Sequence, residues 1–283
     1  MATAKKTIKK SNSLIHAAYT LSLAEQRLIL LAIAQANGAV EAVEDELSVH
    51  ARDYARQFAV EMPAAYEALR AATGALFERR FRYQRRTSTG KMEAVVSRWV
   101  QHVVYGADEG LVRLKFVTDL VPLLTDLRER FTQYGLDQIA GLSSVYAIRL
   151  YELLIAWRST KKTPLIEITD LRRQLGVEEH EYPRLESLKR RVIDFAVAQI
   201  NTNTDITARY DQVKRGRRVV GFEFSFTTKR AAASTSASSI DDRPPTPTPK
   251  RRVISKREAE ALARPGESYQ DLYRRLAPNY IIR

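Results

Sequence analysis

Residues 183–227 read PRLESLKRRVIDFAVAQINTNTDITARYDQVKRGRRVVGFEFSFT, and a change of period inside this stretch decides the fold. From Pro183, a residue suited to a first helical turn, the pattern is helical to about Gln199. At about 100° per residue, Leu185, Leu188, Val192, Phe195 and Ala196 share the side a core would take. Ser187, Arg190 and Asp194 fall opposite, with Arg184 and Arg191 on one shoulder and Lys189 on the other. The period then drops to two. Residues 206–213 and 219–227 read as the strands of a hairpin, with Phe222, Phe224 and Phe226 alternating toward the core. Lys214, Arg215, Gly216, Arg217 and Arg218 form its turn.

Upstream, residues 144–158 predict a helix with Tyr146, Leu150, Leu153, Leu154 and Trp157 as an apolar stripe. A short strand over 165–168 follows, then a brief helix over 170–175 with Thr169 as its N-cap and Gly176 as its stop. Helix, strand, helix, helix, hairpin is the order of a winged helix. The same order occurs earlier in the chain with almost no identity. Ser22 and Glu25 predict a capping box for a helix over 23–35, with Leu28, Leu31 and Ala32 on one face and Asn37 and Gly38 as the stop. An extended piece over 47–49 and helices over 52–58 and 63–77 come next, the second turning Leu69, Ala72 and Leu76 inward. Strands over 80–86, 94–105 and 111–117 close the unit.

The expected fold class is therefore α+β, two tandem winged-helix domains with a flexible C-terminal extension. The boundaries read as a basic N-terminal arm over 1–11, a first domain over 12–134 and a second over 135–230. Residues 231–250, small, polar and proline-rich, read as a disordered linker. The tail over 251–283 reads as short helices, with Tyr269, Leu272, Tyr273 and Leu276 at helical spacing.

The formal charge of +13 over 283 residues favours a polyanionic partner, nucleic acid first. With no cysteine and four histidines, thiolate chemistry, disulfides and zinc fingers drop out, and no histidine pair has ligand spacing, so no metal or cofactor is expected. No long apolar run or signal-like start is present, which implies a cytoplasmic protein without membrane contact. An enzyme is not expected. The segment Thr87 to Lys91 lacks the leading glycine of a P-loop and has Met92 where a magnesium-binding hydroxyl belongs.

On the second long helix, Arg184, Ser187, Lys189, Arg190 and Arg191 are candidates for reading base edges, since a guanidinium can grip guanine O6 and N7 in a bidentate way. A solvated helix face is the alternative. Around the turn, Lys214, Arg215, Arg217 and Arg218 repel one another unless an anion neutralises them, which suits phosphate contacts; a merely solvated turn is the competing reading. In the first copy, Arg70, Arg85, Arg86 and Lys91 are the matching phosphate candidates, with Arg79, Arg80 and Arg82 nearby. Its strands, carrying Val95, Trp99, Val103, Leu114 and Phe116, fit pairing with a second copy and an ordinary buried sheet equally well.

The chain closely resembles the iteron-binding plasmid replication initiators of the Rep_3 family. The resemblance spans about residues 12–227 and rests on NSLIHAAYTLSLAEQRLIL at 12–30, YAIRLYELL at 146–154, LKRRVI at 188–193, INTNTD at 200–205 and KRGRRVV at 214–220. It implies monomers that bind directly repeated iterons in double-stranded origin DNA, and homodimers that repress the initiator's own gene. It also implies origin opening with a host replication initiator and replicative helicase. The family's base-reading helix falls on Arg184 to Arg191, while the first domain is implied to contact phosphates and mediate dimerisation. The tail after Arg230 departs from many relatives. A plain transcriptional repressor and a tyrosine-dependent nickase are the competing functions.

Overall fold

The computed structural model describes residues 6–36, 43–87, 89–125, 131–229, 252–254 and 280–282. The chain divides into two compact units, Met1–Ala231 and Ala232–Arg283. The first unit opens with β1 (Thr7–Ser11), α1 (Asn12–Ile15), α2 (Leu23–Ala36), β2 (Leu47–His50), α3 (Ala51–Phe58) and α4 (Met62–Leu76). Then come β3 (Arg80–Arg86), β4 (Met92–Arg98), β5 (Val100–Gly106), β6 (Leu111–Phe116), α5 (Val121–Thr125) and β7 (Phe131–Gly135). The chain continues through α6 (Val145–Ile155) to β8 (Ile166–Glu167), α7 (Ile168–Leu175), α8 (residues 185–203), β9 (Ile206–Arg215) and β10 (Arg218–Thr228), the last five forming the body of the second winged helix.

The capping box at α2 forms reciprocally. The Ser22 amide donates to Glu25 Oε2 at 2.6 Å and the Glu25 amide donates to Ser22 Oγ at 3.2 Å. Leu28, Leu31 and Ala32 are buried as expected, but so are Gln26, Arg27, Ile29, Leu30 and Ile33, because α2 runs between α4, β1 and β2. The residues read as its stop, Asn37 and Gly38, lie outside the described residues. The single strand read over 94–105 is two strands in different sheets. β4 pairs with β3 as a ribbon, while β5 joins β6 and β2 in a three-stranded sheet. Trp99 is the junction: its fully buried ring meets Tyr19 and Phe81, each at 4.9 Å between centroids, and drawing it inward breaks the strand.

Two features of the second winged helix shift its element starts. α7 begins at Ile168 with Glu167 as N-cap, so Thr169 stands inside the first turn rather than capping it. Glu167 is held extended by pairing β8 with Gly221 and Phe222 of β10, and a Cβ on Gly221 would collide with the Ile166 carbonyl. α8 starts at Leu185, with Arg184 extended as its N-cap, two residues later than Pro183. The Arg172 guanidinium holds the preceding loop by donating to the carbonyls of Glu178 at 2.6 Å, Glu181 at 2.6 Å and Tyr182 at 3.1 Å.

Inside α8, Lys189–Asp194 winds as a π-turn between the α-helical segments Leu185–Leu188 and Phe195–Asn203. The extra residue per turn moves everything after it around the axis. Leu188, Val192, Ile193, Ala196 and Ile200 form the inner face, and Phe195, expected among them, is 49% exposed. The hairpin holds Phe222, Phe224 and Phe226 in the core as read. Its strands run on to Arg215 and from Arg218, leaving Gly216 and Arg217 as the two-residue turn. Gly216 has φ +62° at the first central position, a II′-type arrangement that a side chain would strain.

A buried ionic cluster ties α6 to β1, β7 and the segment around Tyr19. Glu152 accepts from Lys10 Nζ at 2.7 Å, from Tyr134 Oη at 2.6 Å and from Arg149 Nη1 at 3.3 Å. Arg149 also bonds the Tyr19 hydroxyl and the carbonyls of Ile15 at 3.1 Å, Ala17 at 2.8 Å and Gln174 at 2.7 Å. Lys10 reaches this cluster because β1 pairs antiparallel with β7, a strand pair the sequence did not suggest. Gly176, with φ +76°, lies so close to Tyr19 that a Cβ would strike its carbonyl oxygen, so the stop of α7 also sets this contact.

In the second unit, Arg252–Ile254 and Tyr280–Ile282 pair in parallel. The linker over 231–250 and Tyr269, Leu272, Tyr273 and Leu276 lie outside the described residues. Among the described residues, no helix is long and apolar enough to cross a membrane.

Candidate nucleic-acid interface

The basic side chains sort into two populations by what they touch. One is bound into the fold. Arg79 Nε donates to the buried Glu25 at 2.8 Å, Arg149 lies in the cluster above, Arg172 holds a loop and Arg173 pairs with Asp170 at 2.7 Å. The other population is unpartnered. Arg184, Lys189, Arg190 and Arg191 of α8 and Lys214, Arg215, Arg217 and Arg218 of the wing have no ion pair or side-chain hydrogen bond among the described residues. All of these except half-buried Lys189 are exposed, as is Arg70 on α4. Leaving so many cations uncompensated costs self-repulsion, which a phosphate backbone would relieve.

The outer face of α8 carries Arg190, Arg191 and Asp194, with Ser187 half-buried one turn earlier. On this face the Tyr210 hydroxyl of β9 donates to Asp194 Oδ1 at 2.5 Å, and farther along α8 Asn201 exchanges hydrogen bonds with the Ala208 backbone at 2.9 and 2.6 Å. Partial burial, then the Asp194 carboxylate, push the Tyr210 phenol pKa up, so it remains a donor throughout the neutral range. Helix and wing thus present their cations on a fixed frame. Sequence reading placed both sets but missed the residues that frame them. Tyr210 could have been found as the polar-tipped aromatic of an otherwise alternating strand; Arg172 looks like an ordinary last-turn cation.

In the first winged helix the arrangement is looser. Arg85, Arg86 and Lys91 gather on the β3–β4 ribbon, whereas Arg70 stands apart on α4. Arg85 pairs with Glu93 across the ribbon at 3.3 Å, with both side chains half exposed. Such a pair is worth little in water and gives way readily to a phosphate. Arg80 and Arg82 are exposed on the same ribbon, and the Arg82 backbone bridges to Ala18.

Residues 7–155 match the family described as Initiator Replication protein, WH1, and residues 167–226 the family described as Initiator Rep protein, WH2. In sequence the chain is 29% identical over 143 residues to a PI protein from Escherichia coli, covering 45% of this chain and 47% of that one. It is 26% identical over 214 residues to a replication initiation protein from Escherichia coli, covering 74% of this chain and 65% of the other. In structure it resembles a Pi initiator protein solved in complex with iteron DNA. The TM-score is 0.60 at 21% identity, with 81% of this chain and 99% of that chain covered, a likeness of fold.

Proposed function

Since the chain belongs to the initiator replication protein family and has both of its winged-helix domains, we propose that it initiates plasmid replication by binding repeated double-stranded origin sequences. The observation that carries this reading is the unpartnered cationic face of α8 beside the wing. In the proposed complex α8 enters a major groove and reads base edges through Arg184, Ser187, Lys189, Arg190 and Arg191. Lys214, Arg215, Arg217 and Arg218 grip the flanking phosphates, and Arg70, Arg85, Arg86 and Lys91 do so from the first winged helix. The protein acts by binding and deforming DNA in the cytoplasm, with no chemical step of its own. Neighbouring copies strain an adjacent A·T-rich segment, where unstacking is cheapest, and host initiator and helicase load there.

Arg190→Ala tests this. It is expected to weaken binding to the plasmid's own origin repeat by about 1–3 kcal/mol while barely changing binding to a scrambled duplex. With host factors present, wild type should make the A·T-rich segment reactive to single-strand-specific probes, and the variant should not. Equal losses on both duplexes would mean that α8 grips phosphates without reading sequence.

A homodimer that represses its own gene completes the proposal. β5 lies at the edge of its sheet and exposes Val104, 41% accessible, so two β5 edges can pair about a two-fold axis. Val104→Lys should shift the protein to monomer in sedimentation equilibrium; a dimer of unchanged strength would place the interface elsewhere.

A further inference from the structure

We infer that Phe195 is a base-reading residue of α8, and that it reads the 5-methyl group of a thymine. The inference rests on the proposed placement of α8 in the major groove. In a regular helix Phe195, seven residues after Leu188, would lie within about 20° of it and join the core. The π-turn at Lys189–Asp194 prevents this. Ile193 takes the inner place, and the Phe195 ring is turned out to 49% exposure. Turning a phenylalanine to water is unfavourable by itself, and interruptions of this kind concentrate at functional sites.

The surroundings of the ring narrow what it meets. On the wing side, Asp194 is engaged by the Tyr210 hydroxyl at 2.5 Å. On the other, Gln199 Nε2 donates to Ser143 Oγ at 2.7 Å. Phe195 lies between them with no aromatic neighbour among the described residues, one turn beyond the exposed Arg191. A bare ring on a cationic face gains nothing from phosphate. The thymine methyl is the apolar group that base edges present in the major groove. One helical turn is about 5.4 Å, between one and two base-pair steps of about 3.4 Å, so the thymine read by Phe195 should lie within two base pairs of the base read by Arg191.

The test uses the full chain and the plasmid's own origin repeat, with each thymine replaced in turn by deoxyuridine, which removes the methyl and keeps the base pairing. Wild type should lose about fourfold in affinity at one or two positions, the worth of one buried methyl. Phe195→Ala should bind the unmodified repeat more weakly, show no further loss at those positions and keep the wild-type thermal unfolding curve. Phe195→Leu should keep part of the sensitivity. The inference is overturned if Phe195→Ala keeps the full uridine effect, if wild type ignores every substitution, or if the variant weakens repeat and scrambled duplex alike. Arg190→Ala separates the two levels. If it retains preference for the repeat, the placement of α8 itself fails; if it loses that preference while the uridine and Phe195→Ala effects simply add, only the Phe195 assignment fails.

Discussion

Glu152→Ala is expected to cost about 3–5 kcal/mol of folding free energy in urea unfolding, the range found when one partner of a buried ion pair is removed. Against a total of about 5–15 kcal/mol for a protein of ordinary stability, that is enough to unfold a large fraction of molecules on mild warming. The Glu152 and Lys10 side chains are fully buried and Arg149 nearly so. Removing the carboxylate leaves Arg149 its carbonyl partners, but takes from Lys10 its 2.7 Å acceptor. Lys10→Met combined with Glu152→Ala should therefore recover part of the loss, since it removes the stranded ammonium. Burial alone would push the Glu152 pKa up; the Lys10 and Arg149 charges, with hydrogen bonds from Lys10 and Tyr134, outweigh it and hold the group below its ordinary 4.5. A folded pKa below the unfolded one means stability that is present above about pH 4.5 and lost as pH falls through the depressed folded value. Glu152→Gln should accordingly be less stable than wild type at pH 7 and should lose less further stability on acidification. A Glu152→Ala protein within about 1 kcal/mol of wild type would show that the cluster is not what joins α6 to β1 and the Tyr19 segment.

How much of this was legible in the sequence depended on how local the cause was. The capping box, the helices read over 52–58 and 170–175, the phenylalanine alternation of β10 and the cationic turn each follow from residues a few positions apart, and the structure reproduces them to within a residue or two at their ends. Misreadings occurred where a distant contact overrode local pattern. Nothing in Thr7–Ser11 advertises a strand, because its partner is Phe131–Gly135 and its buried lysine is compensated by Glu152. The run over 94–105 has unbroken β propensity, yet the demand for Trp99 in the core splits it between two sheets. The π-turn is a third case. Val192, Ile193 and Phe195 could all serve an inner face, and periodicity alone chose Phe195 where packing against α6 and β9 chose Ile193. The cationic face was more legible than its supports, since charge on an exposed face needs no partner in the fold. Those supports, Arg172 and Tyr210, were hidden because Arg172 acts on backbone carbonyls, which any sequence offers, and Tyr210 acts on a carboxylate in another element.

The wing gives the second large effect. With Lys214, Arg215, Arg217 and Arg218 all replaced by alanine, the slope of log affinity against log salt should flatten by up to about 0.9 for each phosphate that the wing no longer neutralises. Four such phosphates would account for about a 10²-fold fall in wild-type affinity between 50 and 200 mM salt, and that part of the fall should vanish in the variant. The weakening should be nearly equal on the origin repeat and a scrambled duplex, because phosphates carry no sequence information. Folding should be little affected. The four side chains are exposed and unpartnered among the described residues, and the turn depends on Gly216 and on the Arg215 to Arg218 strand pairing, which alanine preserves. Arg190→Ala is the counterpart, with a large effect on the repeat and a small one on the scrambled duplex. The two variants pull apart what a single affinity measurement mixes, the electrostatic grip proposed for the wing and the reading proposed for α8. If the wing variant instead lost its preference for the repeat while keeping its salt slope, the hairpin would be reaching base edges and the division of labour between wing and helix would be reversed.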